Sequence, residues 1–228
     1  MGKTEVIGAG LRSKGQKMEY GLTGKVALVA AGSKGIGLAA AKALAAEGCR
    51  VSICSRSTEN LRAAKDAIGG RVHGFVADVS KADDIDDWVS SARMSLGPIS
   101  ILVTNTGGPA PGFASTLTDA QWKEGFESTL MNVVRMVRAV SEDMKSAGWG
   151  RIVHNTSLVA RQPSDILAIS STLRGGLMNL TRLQATELAP FGITVNGVLP
   201  GHTMTDRQVH LAEVRSAREG ITVEEALR

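Results

Sequence analysis

Along the chain, short apolar runs alternate with longer amphipathic stretches. Six runs have the length and β-branched character of strands: 25–31 (KVALVAA), 50–54 (RVSIC), 72–76 (VHGFV), 101–104 (ILVT), 151–155 (RIVHN) and 193–198 (ITVNGV). Several are nearly continuous in apolar residues, the pattern of parallel strands covered on both faces. The intervening segments read as helices. An Ala-rich one runs from Gly35 to Gly48, another opens on Thr58, and a third follows Asp78 through 81–97. A long one over 118–148 places Thr118 and Gln121 at capping-box spacing, and a further helix carries Ser170 and ends near 189–192. One more helix is expected over 210–220, and nothing after residue 198 reads as a strand. Strands alternating with helices of this length predict βαβ units and an α/β fold, a single doubly wound parallel sheet over residues 19–228. Residues 1–18 are Gly- and Lys-rich without a period and predict a flexible N-terminal extension.

Composition narrows the class. With 228 residues, 43% hydrophobic and 21% charged, the chain suits one sizeable core and not a disordered segment. No apolar run approaches the ~20 residues of a membrane span, and the start lacks the apolar stretch of a secretory signal. Cys49 and Cys54 flank a strand and read as small buried hydrophobes in a reducing compartment, not as a disulfide or metal site. The expected location is the cytoplasm. The net charge of +4 resides mostly in the tail, where Lys3, Arg12, Lys14 and Lys17 face only Glu5. A near-neutral body has no footprint for a phosphate backbone, so nucleic acid is not an expected partner.

The candidate chemistry lies where strands end. VALVAAGSKGIG (26–37) is a strand entering a glycine turn and then a helix. Such a turn lets backbone N–H groups reach a pyrophosphate at the positive end of the helix. This assigns Gly32, Ser33, Lys34, Gly35, Ile36 and Gly37 to a dinucleotide, although the glycines alone could simply permit tight packing. The second strand ends on Ser55 and Arg56 where an acidic residue would select NAD. Arg56 and Lys34 therefore predict NADP(H) in preference to NAD(H), through its 2′-phosphate. Asp78 and Val79 follow the third strand, Asn105 and Gly107 the fourth, and Pro200, Gly201, Thr203 and Thr205 the sixth. Each has a plain alternative: Arg56 a solvated charge, Asp78 a helix cap, the glycines ordinary turns. Ligands in such sheets bind at the carboxyl ends of strands, where all of these fall.

With these motifs in view, the chain resembles the short-chain dehydrogenase/reductase family, in its 3-oxoacyl-acyl-carrier-protein reductase branch. GSKGIGLAAAKALAAEG, ADVS, NTGG, GRIVHNTS and LTRLQATELAPFGITVNGVLPG carry the resemblance in matching order. It implies a Rossmann fold, an NADP(H) cofactor, a small carbonyl or alcohol substrate and a homotetramer. It also implies a seventh strand, so the final βα unit is expected to be absent. The family's Thr-Gly start corresponds to Ala30 and Ala31.

The family's catalytic residues map onto Asn132, which kinks a helix, and Ser157, which hydrogen-bonds the substrate oxygen. Its tyrosine and lysine fall on Ser170 and Arg174. A phenol of pKa about 10 can be pulled toward neutrality by a neighbouring cation, whereas a serine hydroxyl is far less acidic. Tyr20, the chain's single tyrosine, precedes the first strand. His154, Arg161 and His202 are nearby alternatives, His202 foremost, though a loop histidine needs no such role. Two functions follow: an oxidoreductase with an atypical, weakened proton donor, or a non-catalytic dinucleotide-binding sensor or partner subunit.

Overall fold

The computed structural model describes residues 19–70 and 72–227, so the expected N-terminal extension, residues 1–18, lies outside the described residues. The six expected strands form: β1 (Val26–Val29), β2 (Arg50–Ser55), β3 (His73–Val76), β4 (Ile101–Thr104), β5 (Gly150–Asn155) and β6 (Ile193–Val198). They make one sheet in the order β3-β2-β1-β4-β5-β6, every neighbouring pair parallel. Ala27 of β1 stands between Val51 and Ile101, so the apolar positions of three strands share a register. Strand order reverses between β1 and β4, and the two diverging loops there open a crevice above the sheet.

Helices α1 (Gly35–Ala46) and α2 (Thr58–Ile68) follow β1 and β2, and α3 (Ala82–Leu96) follows β3. The expected single helix over 118–148 is divided. Helix α4 (Asp119–Phe126) passes through a π-helical turn (Glu127–Met131) into α5 (Asn132–Ala147). The Thr118–Gln121 capping box forms, each side chain accepting from the other's backbone N–H. Helix α2 opens on Thr58 as expected, capped by Ser57, whose hydroxyl accepts from Asn60 N at 3.2 Å. The helix bearing Ser170 is α6 (Ala168–Leu188), followed by β6, α7 (Asp206–Glu219) and α8 (Val223–Leu227). Helix α7 starts a turn earlier than expected because Thr205 caps it, and α8 was not anticipated.

Two apolar layers flank the sheet. One gathers Leu28, Trp88, Leu102, Met136, Ile152 and Leu177, with α3, α5 and α6 packed on it. The other gathers Ala27, Val29, Val51, Ile53 and Leu61 beneath α1 and α2. The second layer stops short of the β5–β6 edge. Burial there alternates: Ile152, His154, Ile193 and Val195 are buried, whereas Thr194, Asn196 and Val198 are exposed. The two-sided covering expected of parallel strands therefore holds at the centre of the sheet and not at this edge.

Candidate active site

The crevice is a cleft of about 860 Å³ at the carboxyl ends of the strands. It brings together most of the residues expected to bind a cofactor: Ser33, Lys34, Gly35, Ile36, Ser55, Arg56, Asp78, Val79, Asn105, Gly107, Pro200, Gly201, Thr203 and Thr205. Ser157, Ser170 and Arg174 line the same cleft. Gly32, Gly37 and Asn132 do not. A Cβ on Gly37 would lie 2.6 Å from Ala31 O and 2.7 Å from Asn105 Nδ2, and one on Gly32 would lie 2.7 Å from Ile53 Cγ2. These two glycines let the turn pack against its neighbours. Gly35, at φ +52°, is the one held in the left-handed region, and its Cβ position faces Thr205. Ala31 also adopts positive φ, +45°, at the place where the family resemblance calls for glycine.

Side-chain amides join the strand ends. Asn105 Nδ2 donates to Ala31 O at 3.3 Å, and Asn155 Nδ2 donates to Asn105 Oδ1 at 2.7 Å, linking the ends of β1, β4 and β5 across the switch point. Asn155 Oδ1 is buried without a partner, a free acceptor beside the cleft.

On the opposite wall, Ser33 donates to Ser55 Oγ at 3.0 Å, and exposed Arg56 extends beside it. Lys34 Nζ stands 3.5 Å from Asp206 across the cleft mouth, an exposed pair of little net worth that leaves the lysine available. Asp78 is not the cap of α3. Its Oδ1 accepts from Ser80 N at 3.0 Å and Ser80 Oγ at 2.8 Å. Burial opposes its ionisation, but those hydrogen bonds, with Arg56 and Lys81, hold the carboxyl below its usual range.

Arg174 is 7% exposed and makes three hydrogen bonds. Its Nε donates to Ser170 Oγ at 3.2 Å, and its Nη1 donates to Asn155 O at 3.0 Å and Thr156 O at 2.7 Å. Burial, reinforced by repulsion from Arg207, lowers its pKa to about 10. Ser157 Oγ accepts from Val159 N at 3.3 Å. Asn132 immediately follows the π-helical turn, 1% exposed; its Oδ1 accepts from Val133 N and its Nδ2 has no partner.

The alternative proton donors are elsewhere. His154 is fully buried, with Nδ1 2.9 Å from Thr104 Oγ1 and Nε2 2.9 Å from Gln184 Oε1. His202 and Arg161 are exposed, and neither lines the cleft; nor does Tyr20. Arg207 does line it, unanticipated, and donates from Nη2 to Pro109 O at 2.9 Å.

The short chain dehydrogenase profile matches residues 25–216. The chain belongs to this family. Among curated relatives, it is 32% identical over 194 residues to the 3-oxoacyl-acyl-carrier-protein reductase FabG of Escherichia coli, covering 85% of this chain and 80% of that protein. A crystal structure of a variant actinorhodin polyketide ketoreductase with NADPH superposes with a TM-score of 0.85 at 34% identity, covering 89% of this chain and 79% of that one. A short chain oxidoreductase from Pseudomonas aeruginosa, described as containing an atypical catalytic center, is 35% identical with a TM-score of 0.79, over 87% of this chain and 78% of that one. The six-stranded sheet and its flanking helices are thus those of a short chain dehydrogenase, and two of these relatives are named as reductases of oxoacyl or polyketide substrates.

Proposed function

We propose that this protein is an NADP(H)-dependent oxidoreductase acting on a small carbonyl or alcohol, with Ser170 and Arg174 in place of the family's tyrosine and lysine. The observation that carries this is the gathering of Ser157, Ser170 and Arg174 into the same cleft as the glycine turn and Arg56. The residues present suit the cofactor. Ser33, Lys34, Gly35 and Ile36 line the cleft at the start of α1, where a helix N-terminus suits a pyrophosphate, Asn155 Oδ1 lacks a partner, and Ser55 puts no carboxylate where a 2′-phosphate would lie. Bound NADP(H) supplies or accepts the hydride.

The chain's own residues manage charge and proton. Reduction leaves negative charge on the substrate oxygen, which needs donors already in place. Ser157 and Ser170 each accept one hydrogen bond, from Val159 N and Arg174 Nε, which leaves each hydroxyl proton to be donated into the cleft. Arg174 stays protonated at neutral pH and acts through Ser170 as a fixed positive charge. Serine is a much poorer acid than a phenol, so proton transfer is the slow step.

Titration of the purified chain with NADPH and NADH tests the cofactor assignment. Charge-assisted bonds to a 2′-phosphate add ~1.5–3 kcal/mol, so NADPH binds about ten-fold or more tightly, and Arg56→Ala removes most of that advantage. Equal affinities contradict it. A second function, dinucleotide binding without catalysis, is favoured by the absence of a phenol or histidine from the cleft lining. Tight NADPH binding with no turnover of any carbonyl supports it.

A further inference from the structure

Arg207 occupies the first turn of α7 and lines the cleft. Its guanidinium packs over Gly108, where a Cβ would lie 2.7 Å from Nη2, and Nη2 donates to Pro109 O. Its neighbour Asp206 reaches the other way, to Lys34 above the glycine turn. Consecutive residues thus address opposite walls, and Arg207 serves the wall beyond Asn105 and Gly107, away from the pyrophosphate position. No carboxylate pairs with Arg207 or Arg174 among the described residues. Of the acids lining the cleft, Asp206 is paired with Lys34, Asp78 is tied to Ser80, and Glu124 is exposed on α4. Two partly or wholly desolvated guanidiniums that repel each other are costly unless an anion joins them.

We propose that Arg207, reinforced by Arg174, binds a carboxylate of the substrate, so that the preferred substrate class is an oxo acid or hydroxy acid. This role rests on the oxidoreductase chemistry proposed above. A guanidinium fork matches a carboxylate in a two-point contact, while the Ser157 and Ser170 hydroxyls remain for the reacting oxygen.

Ligand-observed NMR titration of the full chain saturated with NADP+ compares acetoacetate with methyl acetoacetate, which has the same ketone and no charge. Neither reacts with the oxidised cofactor, so binding is read without turnover. The acid binds about ten-fold or more tightly than the ester, Arg207→Met brings the two within about two-fold, and Arg207→Lys retains part of the difference. A wild-type ratio near one overturns the proposal without any variant. So does a ratio unchanged by Arg207→Met in a folded protein, including the case where that variant weakens only NADP+ and so places the guanidinium on a cofactor phosphate. If NADP+ does not bind, the cofactor assignment fails, and the acid-to-ester ratio of the cofactor-free chain still decides the carboxylate site.

Discussion

Arg174 Nε donates to the Ser170 hydroxyl at 3.2 Å, one helical turn away on α6, while Nη1 holds the Asn155 and Thr156 carbonyls at the end of β5. The guanidinium thereby fixes α6 to the sheet and orients Ser170 in a single arrangement. Lysine, with one ammonium on a flexible stem, cannot span both partners in this way. In the function proposed above, this serine–arginine pair, with a geometry of its own, takes the place of the family's tyrosine and lysine.

On that proposal the change is local, and the rest of the cleft stays assembled around it. Ser170→Tyr with Arg174→Lys should raise NADPH-dependent acetoacetyl reduction by about 10²-fold or more, the usual worth of a positioned general acid. Ser170→Tyr alone should gain less, because Arg174 keeps its grip on β5. Comparison of kcat/KM for the three proteins checks this. A double variant that folds and binds NADPH without gaining activity argues against the assignment of these two positions.

The glycines expected to serve the cofactor should separate into two kinds. Gly37→Ala drives a Cβ into Ala31 O and Asn105 Nδ2, and overpacking of that sort costs about 1–3 kcal/mol. Thermal unfolding should show a fall of roughly 2–4 °C per kcal/mol. Gly107→Ala meets no atom within 4 Å, so its stability should change by less than about 0.5 kcal/mol while NADPH affinity drops. Equal destabilisation by the two would contradict the packing role assigned to Gly37.

Ala31 at φ +45° predicts a stabilising substitution. The left-handed conformation costs a non-glycine residue ~1–2 kcal/mol, and glycine gives back ~0.5–1 kcal/mol through its greater unfolded freedom. Ala31→Gly should raise stability by up to about 1 kcal/mol in denaturant unfolding. A clear loss would show that the alanine methyl contributes packing that outweighs the strain.

The strands were legible because their apolar runs are short and bounded, and ILVT and ITVNGV coincide with β4 and β6 residue for residue. The π-helical turn was not, because Leu130, Met131, Val133 and Val134 run almost without a polar break and hide the shift in phase that one extra residue per turn brings. Helix α8 had a signal that went unused: Thr222 and Glu225 stand at capping-box spacing, and each accepts from the other's backbone N–H. In the cleft, the loops after the strand ends come together, as a doubly wound parallel sheet requires. Arg207 escaped notice because a charged residue beside a helix start ordinarily faces water. His154 is no proton donor to the cleft, because Ile152 and His154 lie two apart on the buried face of β5.

His154 also sets a pH dependence. Burial lowers its pKa, only partly opposed by the Gln184 hydrogen bond, so the folded protein holds it neutral where the unfolded chain would protonate it. Its contribution is fully present above the unfolded value of about 6.5 and is lost as pH falls below that toward the folded pKa. His73, lowered by burial and by Lys65, adds in the same direction. Urea unfolding should therefore show stability declining from pH 7 to pH 5, with a shallower slope in a folded His154→Gln variant. An unchanged slope in that variant would remove His154 from the account.

In the function proposed here, the cleft performs hydride transfer with serine hydroxyls in place of a phenol. It is tested most directly by following NADPH consumption and hydroxyl product together, with an acetoacetyl thioester, in the wild type and in Ser157→Ala. The expected result is slow, protein-dependent turnover, one product per NADPH consumed, falling about 10²-fold in Ser157→Ala with NADPH affinity unchanged. NADPH bound tightly by both proteins, with no product from either across oxo-acid and oxo-ester substrates, would contradict it and make this chain a dinucleotide-binding protein without catalysis.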